Sequence, residues 1–196
     1  MNWKWRLLFM AAFLPSLPAT GQMGKAVAKT FSQSDIGIMA TAMMDGDLCR
    51  RIVTDKAIFA LTHKDARDPW ADADNYDVDA AAFLQVKKTM LRVQSVATKK
   101  TAMALWIQIP GRPAVSHVVI RLLPGLSAFY NGEMTQPTPA PLSTVFSSGV
   151  QEEFQDKTGM QIVLAPVKDS LGHVAAVIEV VTQSDASDET NQHKDY

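Results

Sequence analysis

The 196-residue sequence predicts an α+β fold in which a five-stranded antiparallel sheet is backed by long N-terminal helices. Apolar residues recur every three or four positions between residues 34 and 97, which is the period of an α-helix. From Thr101 onward they form short continuous runs, which is typical of strands. The turns Pro110–Gly111 and Pro124–Gly125 that divide these runs are too short for a parallel crossover, so neighbouring strands must be antiparallel.

The helical half contains two sites where a polar side chain can cap the start of a helix. The first helix is predicted to begin at Ser34–Asp35, and Asp45–Gly46–Asp47 either ends it or marks an exposed kink. A helical apolar stripe then continues to about His63. The last helix of this N-terminal half is predicted to begin at Asp79, and its apolar positions are Phe83, Val86, Met90, Val93 and Ala97. These stripes predict long helices with one apolar face each.

The second half is predicted to consist of strands with one short helix between them. The predicted order is strands at 102–109, 115–123 and 126–132, a proline loop at 135–141, a helix at 142–154, and strands at 160–167 and 173–181. The strands are apolar on both faces, so both faces need cover. We expect the N-terminal helices on one face, and the helix and loops between the third and fourth strands on the other.

The N-terminus has the three parts of a secretory signal peptide. Residues 1–6 carry Lys4 and Arg6 and no acid, residues 7–14 are apolar, and Ala19–Thr20–Gly21 provides a small-residue cleavage site. The apolar run is shorter than the roughly 20 residues that a membrane span requires. The sequence therefore predicts cleavage near Gln22 and a periplasmic or secreted protein with no membrane span after cleavage. A retained signal anchor is the alternative.

The predicted mature chain is one domain, residues 34–183, between a flexible lead at 22–33 and a disordered polar tail at 184–196. Removing residues 1–21 takes away two basic residues and no acid, which leaves 17 basic and 20 acidic residues. A mildly acidic chain gives no electrostatic reason to expect nucleic acid as a partner. With Cys49 as the single cysteine, no intramolecular disulfide can form, and we expect a buried apolar side chain there.

The sequence lacks the usual motifs of catalytic and metal sites. It has no Gly-x-Ser-x-Gly, phosphate-loop or His-Glu-x-x-His motif, so neither an enzyme with catalytic residues nor a cofactor is predicted. An acid-rich segment contains Asp65, Asp68, Asp72, Asp74, Asp77 and Asp79. A calcium loop starting at Asp72 would need Gly at its sixth position and Glu at its twelfth, where Asp77 and Phe83 stand. We expect a solvated, helix-capping loop without a metal.

Residues 164–180 read Leu-Ala-Pro-Val-Lys-Asp-Ser-Leu-Gly-His-Val-Ala-Ala-Val-Ile-Glu-Val. This segment resembles the closing hairpin of extracytoplasmic Cache (PAS-like, also called PDC) sensor domains, in which Pro-Val, an acidic turn with Gly and a Gly-x-Val-Gly-Val-like strand recur. The resemblance implies a PAS-like sheet and a sensor-type domain that binds a small ligand. The upstream turn at Leu123–Leu126 lacks the Asp of that family, and the Arg/Tyr/Trp/Asp set of the amino-acid-binding members is missing, so no ligand class is implied.

The candidate ligand-binding residues are polar or aromatic side chains within apolar strands. They are Trp106, His117, Arg121, Tyr130 and Gln161. Strand alternation predicts that His117 and Arg121 share a face. A buried Arg121 requires a partner, which is either a carboxylate-like ligand or Glu179 in a structural ion pair; simple surface exposure is the third reading. The proline loop at 136–141 is predicted to act as a lid.

Two functions follow as alternatives. The first is an exported small-ligand-binding, sensor-type domain without an output domain, which would act with a membrane-bound receptor or another partner protein. The second is an accessory or protein-interaction module that keeps the fold and has no ligand pocket. An enclosed cavity with polar groups between the sheet and its covering loops would distinguish the first from the second.

Overall fold

A computed structural model of the chain describes residues 31–62 and 78–182. Its helices are α1 (Gln33–Met43), α2 (Gly46–Ile52), α3 (Asp55–Thr62), α4 (Ala80–Gln94) and α5 (Ala140–Ser148). Its strands are β1 (Thr101–Ile109), β2 (Arg112–Leu122), β3 (Thr135–Pro137), β4 (Glu152–Gln155), β5 (Gln161–Lys168) and β6 (Val174–Thr182).

The strands form one six-stranded sheet in the order β3-β2-β1-β6-β5-β4, with every neighbouring pair antiparallel. The α+β class and the antiparallel pairing are thus confirmed, whereas the count of five strands is wrong. Two of the three predicted hairpins form, β1–β2 and β5–β6. The first and last halves of the sheet meet where β1 pairs with β6.

The third predicted strand, at 126–132, does not form. Leu123 adopts a left-handed backbone conformation with φ 55°, and Pro124 then starts a single 3-10 turn, Pro124–Leu126. The chain therefore leaves β2 without reversing into a hairpin. Strand β3 forms later, inside the predicted proline loop, and pairs with residues 115–117 of β2. Pro137 is tolerated there because β3 is an edge strand.

The predicted helix at 142–154 is α5 in its first half and strand β4 in its second. Gly149 has φ 63°, and its N–H donates to the carbonyl of Val145, which ends the helix. Glycine adopts this left-handed conformation without the steric cost of a Cβ. Residues 152–155 then pair with β5 as the other edge strand.

The N-terminal helices are shorter than the apolar stripe predicts. Ser32 and Asp35 form a capping box that starts α1, one residue ahead of the predicted domain start. Asp45 caps a new helix, α2, by accepting from the N–H groups of Asp47 and Leu48, so the stripe is divided. The predicted start of the last helix is confirmed, since Asp79 caps α4. Local capping therefore decides helix length here.

The sheet has two buried faces. We call one the N-terminal face, on which α1, α2 and α4 pack against residues such as Met103, Leu105 and Ile178. We call the other the α5 face, on which α5 and residues 126–134 pack against residues such as Trp106 and Val177. This two-sided cover is the arrangement predicted from the apolar strands.

Within residues 31–62 and 78–182, no helix has the length and hydropathy needed to cross a membrane. The predicted signal peptide, the polar tail, most of the flexible lead and most of the acid-rich segment lie outside these residues. Export, cleavage near Gln22 and the character of the acid-rich segment therefore stay predictions.

Candidate functional site

Two opposite charges flank a small residue on the α5 face. Ala104 of β1 pairs with Arg121 of β2 on one side and with Glu179 of β6 on the other. Paired residues of a sheet point to the same face, so both charged side chains are directed toward α5 and the loop before it. With strands about 4.8 Å apart, the backbones of Arg121 and Glu179 are roughly 10 Å apart.

Glu179 is a fully buried carboxylate held by hydrogen-bond donors rather than by a cation. The indole Nε1 of Trp106 donates to its Oε2 at 2.8 Å, and the hydroxyl of Ser127 donates at 3.0 Å. The backbone N–H of Ala128 donates to Oε1 at 2.5 Å. Burial raises the pKa of Glu179, while the hydrogen bonds from Trp106, Ala128 and Ser127 act against that rise.

Arg121 does not form an ion pair with Glu179, which was one of its three predicted alternatives. Its guanidinium carbon lies 3.6 Å from the centre of the Tyr130 ring, which is a close cation–π contact. The Tyr130 hydroxyl donates to the carbonyl of Gly132 at 2.8 Å. Arg121 and Tyr130 are therefore in contact, although Tyr130 belongs to an irregular segment and not to a paired strand.

The space between the two charges is closed in this conformation. A gap between them is lined by Ala102, Ala104, Arg121, Ser127 and Glu179, and it has no room for a water molecule. Ligand pockets usually have volumes of about 300–1,000 Å³. The site therefore has the polar groups of a binding pocket, but it admits a ligand only if its covering segment moves.

The other predicted site residues lie elsewhere. His117 is on the N-terminal face, because a β-bulge between Leu105 and Trp106 inserts Val119 as an extra residue in β2. The bulge shifts the alternation by one, so His117 and Arg121 do not share a face as predicted. The predicted lid at 136–141 is also wrong, because residues 135–137 form β3 and Gln136 is buried.

Gln161 is exposed at the start of β5, at the far end of the N-terminal face. Its carbonyl accepts a hydrogen bond from the side chain of Gln33 at 2.6 Å. A cleft of about 410 Å³ opens beside it, and Lys99 and Glu153 are among its lining residues. Of the five predicted residues, the structure thus brings together Trp106, Arg121 and Tyr130, and it separates His117 and Gln161 from them.

Ser127 and the N–H of Ala128 belong to the site and were missed by the sequence reasoning. A serine in a loop carries no periodic signal, and a backbone donor carries none at all. The sequence signal that could have pointed to them was Glu179, the single acidic residue in a mostly apolar strand. A carboxylate buried there requires hydrogen-bond donors nearby. Cys49 is fully buried, and burial raises the pKa of its thiol to about 12, so it is not a reactive group of this site.

His117 makes stability depend on pH in the acid range. It is fully buried, its Nδ1 lies 2.7 Å from the hydroxyl of Thr135, and burial lowers its pKa from 6.5 to about 4. His117 therefore binds a proton less readily in the folded protein than in the unfolded chain. Its contribution to the free energy of unfolding is fully present above pH 6.5 and is lost as pH falls toward 4. The shift corresponds to about 3 kcal/mol.

We expect His117→Asn to reduce this loss. Urea unfolding of both proteins at pH 7 and pH 4 gives the measurement, and the difference between the two pH values should be about 3 kcal/mol smaller in the variant. An equal pH dependence in both proteins would show that His117 is not the titrating group.

The chain has only a weak similarity to known proteins. No protein-family model and no curated protein matches the sequence. Among solved structures, the GAF domain of A. aeolicus nlh2 in an inactive state is similar, with 17% identity, 76% of this chain and 89% of that chain covered, and a TM-score of 0.38. A second GAF domain structure has 9% identity, covers 84% and 92% of the two chains, and has a TM-score of 0.40. At these TM-scores the likeness does not assign the chain to a family.

Proposed function

We propose that this chain is a sensor-type domain that binds a small carboxylate-bearing ligand on the α5 face without converting it chemically. The observation that carries the proposal is the guanidinium of Arg121, which is stacked on Tyr130 and has no carboxylate partner within residues 31–62 and 78–182. A guanidinium can hold a carboxylate by two parallel hydrogen bonds. The site also lies between the sheet and a loop, where ligand pockets are commonly built.

Two features of the sequence support a role outside the cytoplasm. Residues 1–21 have the order of a secretory signal, and residues 164–180 resemble the closing hairpin of Cache sensor domains. We therefore propose an exported domain that passes the ligand signal to a separate receptor. N-terminal sequencing of the exported protein tests this location, since a mature chain that begins at Met1 would contradict cleavage.

An interaction module without a pocket is the second candidate. It is favoured by one observation, which is that the gap beside Arg121 has no room for a water molecule. In that case Glu179 and Arg121 would only fix the loop to the sheet. The two candidates differ in their response to added carboxylates.

A thermal-shift measurement with acetate, succinate and citrate separates these candidates. A ligand at 100 times its dissociation constant stabilises the folded protein by about 2.7 kcal/mol, which raises the melting temperature of a domain of this size by several degrees. We expect Arg121→Ala to abolish the shift. Arg92→Ala is the matched control, because Arg92 is exposed on α4 and should leave the shift unchanged. No shift with any of the three carboxylates in the unmodified protein, or a shift that survives Arg121→Ala, would contradict the proposal.

A further inference from the structure

We infer that residues 123–134, which we call the strap, are latched onto the α5 face by Glu179 and Arg121 and open as a unit to give access to the proposed ligand site. This inference rests on the proposed function for the identity of what enters. The latch itself is a property of the chain and can be tested without a ligand.

The first latch contact is the carboxylate of Glu179. Ser127 and Ala128 of the strap both donate to it, and Trp106 donates to it from the sheet. One buried carboxylate thus joins the middle of the strap to β6 and β1. Because an ionised carboxylate accepts at both oxygens, it suits this set of donors better than a neutral amide does.

The second latch contact is the stacking of Arg121 on Tyr130. This contact covers one face of the guanidinium with the strap's own ring. The N–H edge of the guanidinium, which would hold a carboxylate, is not covered by this contact. Because the gap beside Arg121 has no room even for a water molecule, a bound ligand fits only the open position, and occupation of the site favours that position.

Both ends of the strap have backbone conformations suited to a hinge. Leu123 is the only described non-glycine residue with positive φ, and its side chain is 45% exposed, so burial does not hold it there. A non-glycine residue in this region is strained. Gly132, two residues before the other end, has φ 107° and open space where a Cβ would be. The strap is also held by Gln136, whose amide donates to the carbonyl of Phe129 at 2.7 Å.

Amide hydrogen exchange, followed by mass spectrometry on the whole chain without added carboxylate, tests the latch. In Glu179→Gln the side-chain amide places a donor against the donors of Trp106 or Ala128, so peptides covering residues 126–132 should exchange about tenfold faster. Peptides of α4 should be unchanged. Glu153→Gln is the matched control, because Glu153 is exposed on β4.

Tyr130→Ala provides a second variant in case Glu179→Gln does not fold. Tyr130 is partly exposed, so its loss should leave the fold intact while it removes the second latch contact. We expect faster exchange in the same peptides. The latch would be overturned if residues 126–132 exchange no faster in Glu179→Gln and in Tyr130→Ala than they do in the control Glu153→Gln.

The latch and the proposed function can fail separately. Faster strap exchange in the variants, together with no thermal shift from acetate, succinate or citrate, would confirm the latch and reject the ligand. A carboxylate-induced thermal shift with unchanged strap exchange in both variants would confirm the ligand and reject the latch.

Discussion

Trp106→Ala is expected to lower the free energy of unfolding by about 3–5 kcal/mol, which is the usual cost of removing a fully buried large aromatic side chain. Trp106 is completely buried in β1 and donates to the buried carboxylate of Glu179. The substitution therefore leaves a cavity on the α5 face and takes a donor from a charge that cannot reach water. Urea unfolding at pH 7 measures the change.

Two further variants separate the cavity from the lost hydrogen bond. Trp106→Phe keeps most of the ring volume and removes only the donor, so we expect a loss of about 1.5–3 kcal/mol. Leu171→Ala is the control, because Leu171 is 79% exposed in the β5–β6 turn and should change stability by less than about 0.5 kcal/mol. A Trp106→Ala protein as stable as Leu171→Ala would mean that the α5 face is not packed as described.

Gly46→Ala is expected to destabilise the protein by about 3 kcal/mol, at the upper end of the usual cost of overpacking. A Cβ at Gly46 would meet the backbone of β5 at Lys168 and would lie 2.7 Å from the backbone nitrogen of Asp169. Backbone atoms cannot rotate away as a side chain does. Helix α2 would have to move off the β5–β6 hairpin, which would also strain the ion pair between Arg50 and Asp169 at 2.8 Å.

Gly125→Ala is the matched control for this substitution. Gly125 lies in the 3-10 turn after β2, has no positive φ, and has no atom within 4 Å of the position of a Cβ. The same chemical change should therefore alter stability by less than about 0.5 kcal/mol. Equal melting temperatures for the two variants would contradict the close approach of α2 to β5.

The sequence predicted the features that depend on local patterns. The switch from a period of three or four residues to continuous apolar runs near Thr101 gave the α+β class, and short turns gave antiparallel hairpins. The closing hairpin is the best case, since strands predicted at 160–167 and 173–181 form at Gln161–Lys168 and Val174–Thr182.

Tertiary structure alone decided which residues form the site. The bulge at Val119 moves His117 to the opposite face from Arg121, and a bulge depends on the pairing of two strands, which no single-strand pattern contains. Leu123 has a left-handed backbone conformation, and the residues after it form the strap instead of the predicted strand. Ser127 and Ala128 of the strap donate to Glu179, so the ion pair with Arg121, one of the alternatives that the sequence left open, does not form. A buried carboxylate needs donors, but the sequence does not say which ones, because they come from segments that meet only when the sheet and its covering loop are packed.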